Sequence, residues 1–171
     1  MTDGQGRGAV AAAWWRNALA SRDSGAARGL AARLRRADAV GVLAEPDVHD
    51  LARWLGIGPQ QAGAVVRLVQ VLAELRTDDR RTLAQRLGGA EPVLSTLRLQ
   101  RRLRSRDDAF VTQLRRAVIM ADRSCNVARL AGDLLVWDHP DWGDQTRARW
   151  YFDYFGASIT DAPLLPEETD A

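Results

Sequence analysis

Arginine is the residue type whose spacing in this chain suits a chemical task. From Leu94 to Val118 the sequence reads LSTLRLQRRLRSRDDAFVTQLRRAV. Placed on a helix, Arg98, Arg101, Arg102 and Arg106 fall at i, i+3, i+4 and i+8, which is one broad face. Arg115 and Arg116 follow on a second helix, beside an apolar stripe of Phe110, Val111, Leu114, Ala117 and Val118. Between Ser95 and Leu130 nine arginines stand against Asp107, Asp108 and Asp122, a net of +6 in a chain whose total is +2. Charge localised in this way is the electrostatic footprint of a phosphate-backbone partner. Arg35 and Arg36, on an earlier helix, make a smaller basic patch. The competing reading is a solvated face whose arginine stems cover apolar surface.

Other chemistry finds little support. His49 and His139 are the two histidines, and no cysteine or carboxylate stands at a metal-binding spacing from either, apart from the local group Asp138, His139 and Asp141. That group reads as a turn. The adjacent carboxylates Asp78-Asp79 and Asp107-Asp108 point apart on a helix rather than together. A single cysteine, Cys125, leaves no internal disulfide and no multi-cysteine metal site. There is no phosphate-cradling glycine loop and no nucleophile beside a base, so neither an enzyme nor a cofactor is expected.

Helices have to position these arginines. Apolar residues recur with helical period, and nothing alternates with period two. Ala9–Ala20 carries Trp14, Trp15 and Leu19, with both tryptophans expected in the core. Ser24 can cap a helix to Ala37 with Ala27, Leu30, Ala31 and Leu34 inward. Pro46 suits the first turn of a helix to Leu55, stopped by Gly56. The segment from Gly58-Pro59 to Arg76 is the most core-like, with Val65, Val66, Val69 and Leu72 on one face. Thr82–Leu87 is short. Pro92 is expected to open the arginine-rich helix, with Leu99 and Leu103 on one flank and Val93 and Leu97 on the other. Asp107 then opens the second basic helix, to Met120, where acids suit the positive end of the helix dipole. Asn126 begins another helix, and Arg147, Trp150, Tyr151, Tyr154 and Phe155 share a face of the last. The expected fold is all-α: a compact bundle of about eight or nine helices, as one unit or as two packed halves, over residues 9–156, with flexible termini at 1–8 and 157–171.

With 171 residues and a hydrophobic fraction of 46%, the chain has ample material for a core. No run approaches the roughly 20 apolar residues of a membrane span, and no signal peptide opens the sequence, so a cytoplasmic protein is expected. All 24 basic residues are arginine, which a chain also rich in alanine and glycine owes to genome composition. From Asp133 onward nine acids face two arginines, a net of −7. The acidic end suggests a face turned away from nucleic acid, or one that docks basic neighbours. Thr82–Ser105 invites comparison with a DNA-reading helix-turn-helix. Its connection is long for that motif, and apolar residues stand where base-reading residues belong.

Several segments, taken together and in order, resemble one family. They are Trp14, Trp15 and Leu19; LRRA at Leu34–Ala37; EPDVHDL at Glu45–Leu51; LSTLRLQRRL at Leu94–Leu103; QLRRAV at Gln113–Val118; VARLAGDLLVWD at Val127–Asp138; and RARWYFDYF at Arg147–Phe155. The chain resembles the small subunit (CasB) of the type I-E CRISPR-associated surveillance complex, Cascade. Arg98, Arg101, Arg115 and Arg116 match the family's basic positions, and Arg35 and Arg36 match a further pair. The family pattern has an aromatic where Leu99 stands and an apolar residue where Arg102 stands. The resemblance implies an all-helical, non-catalytic subunit in antiviral defence, present as two copies. It implies backbone contacts to the crRNA–target DNA hybrid and the displaced DNA strand, and docking to the backbone and large subunits. Such contacts would stabilise the R-loop, whose formation is nearly balanced in free energy. The alternatives are a sequence-specific helix-turn-helix regulator and a purely structural adaptor.

Overall fold

A computed structural model of the chain, describing residues 3–21 and 23–156, builds its regular structure from helices and one pair of two-residue strands. Side-chain caps start most helices where the sequence supplies them, each giving a free backbone N–H an acceptor. Ser24 caps α2 (Gly25–Arg36), Asp38 caps α3 (Ala39–Leu43) and Asn126 caps α9 (Val127–Val136). Thr82 and Gln85 exchange a reciprocal pair of bonds over α6 (Leu83–Leu87). Ser95 caps α7 (Thr96–Arg104). The remaining helices are α1 (Asp3–Trp15), α4 (Pro46–Leu55), α5 (Ala62–Leu72), α8 (Asp107–Met120) and α10 (Trp142–Tyr154). A π-helical turn extends α1 to Ala20, and a 3-10 turn at Pro59–Gln61 leads into α5.

Helix α5 is the hub, packed by α2, α3, α4, α8 and α9. Val65, Leu68, Val69, Val71 and Leu72 are buried on it. Both tryptophans of α1 are in the core, as expected. Trp14 Nε1 donates to Asp47 O at 2.9 Å, and Trp15 Nε1 donates to Leu72 O at 3.1 Å, so adjacent residues anchor α1 to different elements. Phe110 stacks on Trp137 at 4.8 Å, and Trp137 meets Trp150 edge-on at 5.4 Å, joining α8, α9 and α10. One cluster of buried side chains runs from Ala11 to Tyr154.

Helices α1 and α9 approach closely because Gly8 has no side chain. A Cβ there would lie 2.2 Å from Ala128 O. Gly8→Ala should therefore push the two helices apart and cost about 1–3 kcal/mol. A lowered urea midpoint at unchanged slope is the expected readout. Residues 3–8, expected to be flexible, belong to α1. Met1 and Thr2, and the 157–171 segment also expected to be flexible, lie outside the described residues.

Four local expectations are corrected. The arginine-rich helix begins at Thr96, because Ser95 rather than the region of Pro92 supplies the cap. Val93 and Leu97 are 52% and 56% exposed instead of packed, since Leu99 and Leu103 alone carry that helix's buried flank. Phe155 is 60% exposed, because α10 ends at Tyr154. A five-residue α3 and a parallel strand pair were not foreseen. In the pair Thr77 faces Ser124 and Asp78 faces Cys125. Asp78 Oδ1 also accepts from Val127 N–H at 3.0 Å, tying the strand to the start of α9.

Candidate nucleic-acid interface

Arginines divide into two populations. One is spent on carboxylates that hold helices together: Arg33 on Glu45, Arg67 on Asp138, Arg86 on Asp79, Arg147 on Asp144, and Arg129 and Arg149 on Asp133. The other has no ion pair among the described residues: Arg7, Arg35, Arg36, Arg76 and Arg80 are scattered, and the largest group, Arg98, Arg101, Arg102, Arg104, Arg106 and Arg116, lies on or between α7 and α8. Within that group only Arg102 is part-buried; the rest are exposed.

Helix α7 presents Arg98, Arg101 and Arg102 because Leu99 and Leu103 are its buried flank. Arg102 lies against α8, its Nη2 donating toward Met120 Sδ at 3.7 Å, with Nε buried and unpartnered. Burial pulls its pKa below the ordinary value, and the nearby positive charges of Arg98 and Arg116 act in the same direction. Arg98 from α7 and Arg116 from α8 thus both bear on the charge of Arg102. Like charges held together without acids cost folding free energy, so the arrangement favours an anion from outside. Arg106, expected on the same helical face, lies beyond it: α7 ends at the Ser105 cap and Arg106 is extended. Arg104, in the last turn of α7, is exposed and was not singled out, although it stands three residues after Arg101.

Arg115 belongs to the first population. Its Nε and Nη2 donate to Glu74 Oε1 at 2.9 and 2.7 Å, and Nη2 also donates to Arg35 O at 2.8 Å. Glu74 is buried, and its other oxygen takes Arg123. The geometry brings together Arg98, Arg102 and Arg116 and turns Arg115, one residue away, inward. Through the Arg35 carbonyl, Arg115 also joins the end of α2 to α8. Arg35 there is part-buried and Arg36 exposed, and neither has an ion pair among the described residues.

The residues considered for other chemistry have structural partners. His139 Nδ1 accepts from the backbone N–H of Asp141 and of Trp142, at 3.1 and 3.3 Å, where α10 begins. Asp138 takes Arg67. His49 Nε2 lies 2.7 Å from Leu43 O. Cys125 is fully buried, and burial pushes its thiol pKa well above the ordinary value, away from a reactive thiolate. Among the described residues no group of three or more His, Cys, Asp or Glu is placed to hold a metal. No described helix is long and apolar enough to cross a membrane. Helices α6 and α7 are separated by residues 88–95, more than the three or four residues of a helix-turn-helix, and α6 packs on α10 and α8.

A family model described as CRISPR-associated protein Cse2 matches residues 30–155, which is 126 of the chain's 171 residues and includes every helix from α3 to α10. Comparison with curated proteins and with solved structures finds no match.

Proposed function

Because the chain belongs to the CRISPR-associated Cse2 family, the small subunit of the type I-E Cascade complex, we propose that it grips nucleic-acid backbone non-specifically through Arg98, Arg101, Arg102 and Arg116 and so stabilises the crRNA-guided R-loop. The observation that carries this reading is the segregation of arginines. Many elsewhere are paired with acids, while Arg98, Arg101, Arg102, Arg104 and Arg116 on α7 and α8 have no ion pair among the described residues, and Arg98 and Arg116 repel the charge on Arg102. Arg104, Arg35 and Arg36 extend the same surface; Arg115 is assigned to the fold. Sequence is read by base pairing in such a complex, so contacts to phosphate are what a protein subunit has to add. The hybrid and the displaced strand both offer that backbone.

The same reading makes this a non-catalytic, cytoplasmic subunit that docks the backbone and large subunits and a second copy of itself. Exposed apolar side chains such as Trp54, Val40 and Phe152, on helices other than α7 and α8, support protein contacts.

The test is affinity of the purified chain, and of the assembled complex, for unrelated single- and double-stranded DNA sequences. Near-equal affinities are expected. A preference of about a thousandfold or more for one duplex would instead indicate base reading. Absence of any salt-sensitive DNA contact in the assembled complex would leave a purely structural adaptor.

A further inference from the structure

Helix α10 has one buried side and one open side. Thr146, Trp150, Asp153 and Tyr154, at i, i+4, i+7 and i+8, are buried, and the helix packs on α6 and α9. Gln145, Ala148, Phe152 and Phe155, at i, i+3, i+7 and i+10, are exposed on the opposite side. Phe155 follows the last residue of α10, and its N–H still donates to Tyr151 O at 3.0 Å, which keeps it on the helical path. Phe152 and Phe155 are therefore one turn apart, and at 59% and 60% exposure they make one open apolar surface.

The same side is acidic at its start. Asp141 and Asp144 are exposed there, Asp141 with no ion pair among the described residues. Asp144 pairs with Arg147, yet its side chain stays 86% exposed. Trp142, stacked on His139 at 4.1 Å, stands half-exposed beside them. Both arginines of α10 are engaged, Arg147 with Asp144 and Trp137 O, and Arg149 with the buried Asp133. The open side thus offers carboxylates, an indole and two phenyl rings, with no unpaired arginine. Such a surface repels phosphate. It fits a polypeptide that is both apolar and cationic, since a guanidinium is drawn to carboxylates and to an exposed indole alike. Along the helix the apolar pair begins about 12 Å beyond Asp144.

We propose that the open side of α10 docks a basic, apolar segment of another protein subunit. An apolar side chain of that segment sits on Phe152 and Phe155, and its arginine or lysine side chains meet Asp141 and Asp144. The molecule then has two faces of opposite preference, α7 and α8 for phosphate and α10 for cationic protein. The proposal gives a place and a partner chemistry to the subunit docking described above, and it rests on that reading.

Reconstitution of the full-length chain with the backbone and large subunits and guide RNA of its complex, without target DNA, tests it. Two variants are compared with wild type: Phe152→Ser with Phe155→Ser, and Asp141→Asn with Asp144→Asn. All four side chains are exposed, so helix content and the DNA affinity of the isolated chain should hold in both. The phenylalanine variant should enter the complex at least about thirtyfold more weakly, because two open apolar side chains no longer become buried. The asparagine variant should enter about three- to tenfold more weakly at low salt and like wild type at high salt. Wild-type assembly by both variants would overturn the proposal. Weakened assembly of the phenylalanine variant alone would overturn the basic character of the partner. Loss of self-association in the phenylalanine variant, with assembly unchanged, would assign the face to a second copy of the chain and overturn it as well. Failure of the wild-type chain itself to assemble would overturn the subunit-docking reading, and the proposal with it.

Discussion

Arg115→Glu is expected to unfold this protein under conditions in which Arg116→Glu leaves it folded. The two arginines are neighbours in sequence and opposite in role. Glu74 is buried, and Arg115 meets it through two nitrogens at 2.9 and 2.7 Å. Removing one partner of a buried ion pair strands the other charge in a low dielectric, which costs about 3–5 kcal/mol. That is a large share of the roughly 5–15 kcal/mol that holds a domain together. Arg115→Ala should lose less than this amount, and Arg115→Glu more than the alanine variant, because it sets a second carboxylate beside Glu74. Arg123 still pairs with Glu74 and limits the damage in the alanine variant. Arg115→Met, Glu74→Met and Arg123→Met together should recover much of the loss, since apolar replacement of a whole buried ionic group is often neutral. Urea unfolding followed by circular dichroism checks all three. Equal midpoints for Arg115→Ala and wild type would mean that the pair contributes nothing.

The second large effect is on binding. Arg98→Glu, Arg101→Glu and Arg116→Glu together should weaken DNA binding by about two orders of magnitude at low salt, since an exposed ion pair contributes up to about 1 kcal/mol and 1.4 kcal/mol is tenfold. Helix content should not change, because all three side chains are exposed and none has an ion pair among the described residues. Stability should hold or rise: Arg98 and Arg116 both act against the charge on Arg102, and reversing them removes that repulsion. Gain of stability with loss of binding is what a surface shaped for a partner gives up when it is mutated. A reversal that also contained Arg115→Glu would confound the two effects by unfolding the chain.

Much of the helical framework was legible in residue types. Ser24, Thr82 and Asn126 stand where caps belong, and each does cap a helix. The Val65–Val66–Val69–Leu72 period identified the hub helix, and Trp14 and Trp15 were read as core. The misses share a cause, which is dependence on distant partners. The five-residue α3 has too few turns to show a period. The strand pair joins Thr77–Asp78 to Ser124–Cys125, and nothing local in either dipeptide announces it. For the candidate site, spacing brought Arg98, Arg101 and Arg102 to one face but could not separate Arg115 from Arg116. That separation is set by Glu74, 41 residues earlier in the chain. Gly8 was read as part of a flexible end, because a glycine seated on another helix looks in sequence like any other glycine.

The central claim is that the unpaired arginines of α7 and α8 contact phosphate. Its most direct test is the salt dependence of single-stranded DNA affinity, measured for wild type and for the Arg98, Arg101 and Arg116 reversal to glutamate. Each phosphate neutralised adds about 0.7 to the log–log slope on single strands, so loss of three contacts should flatten the wild-type slope by roughly 2. Parallel slopes for the two proteins, however tightly either binds, would place the phosphate contacts elsewhere on the molecule.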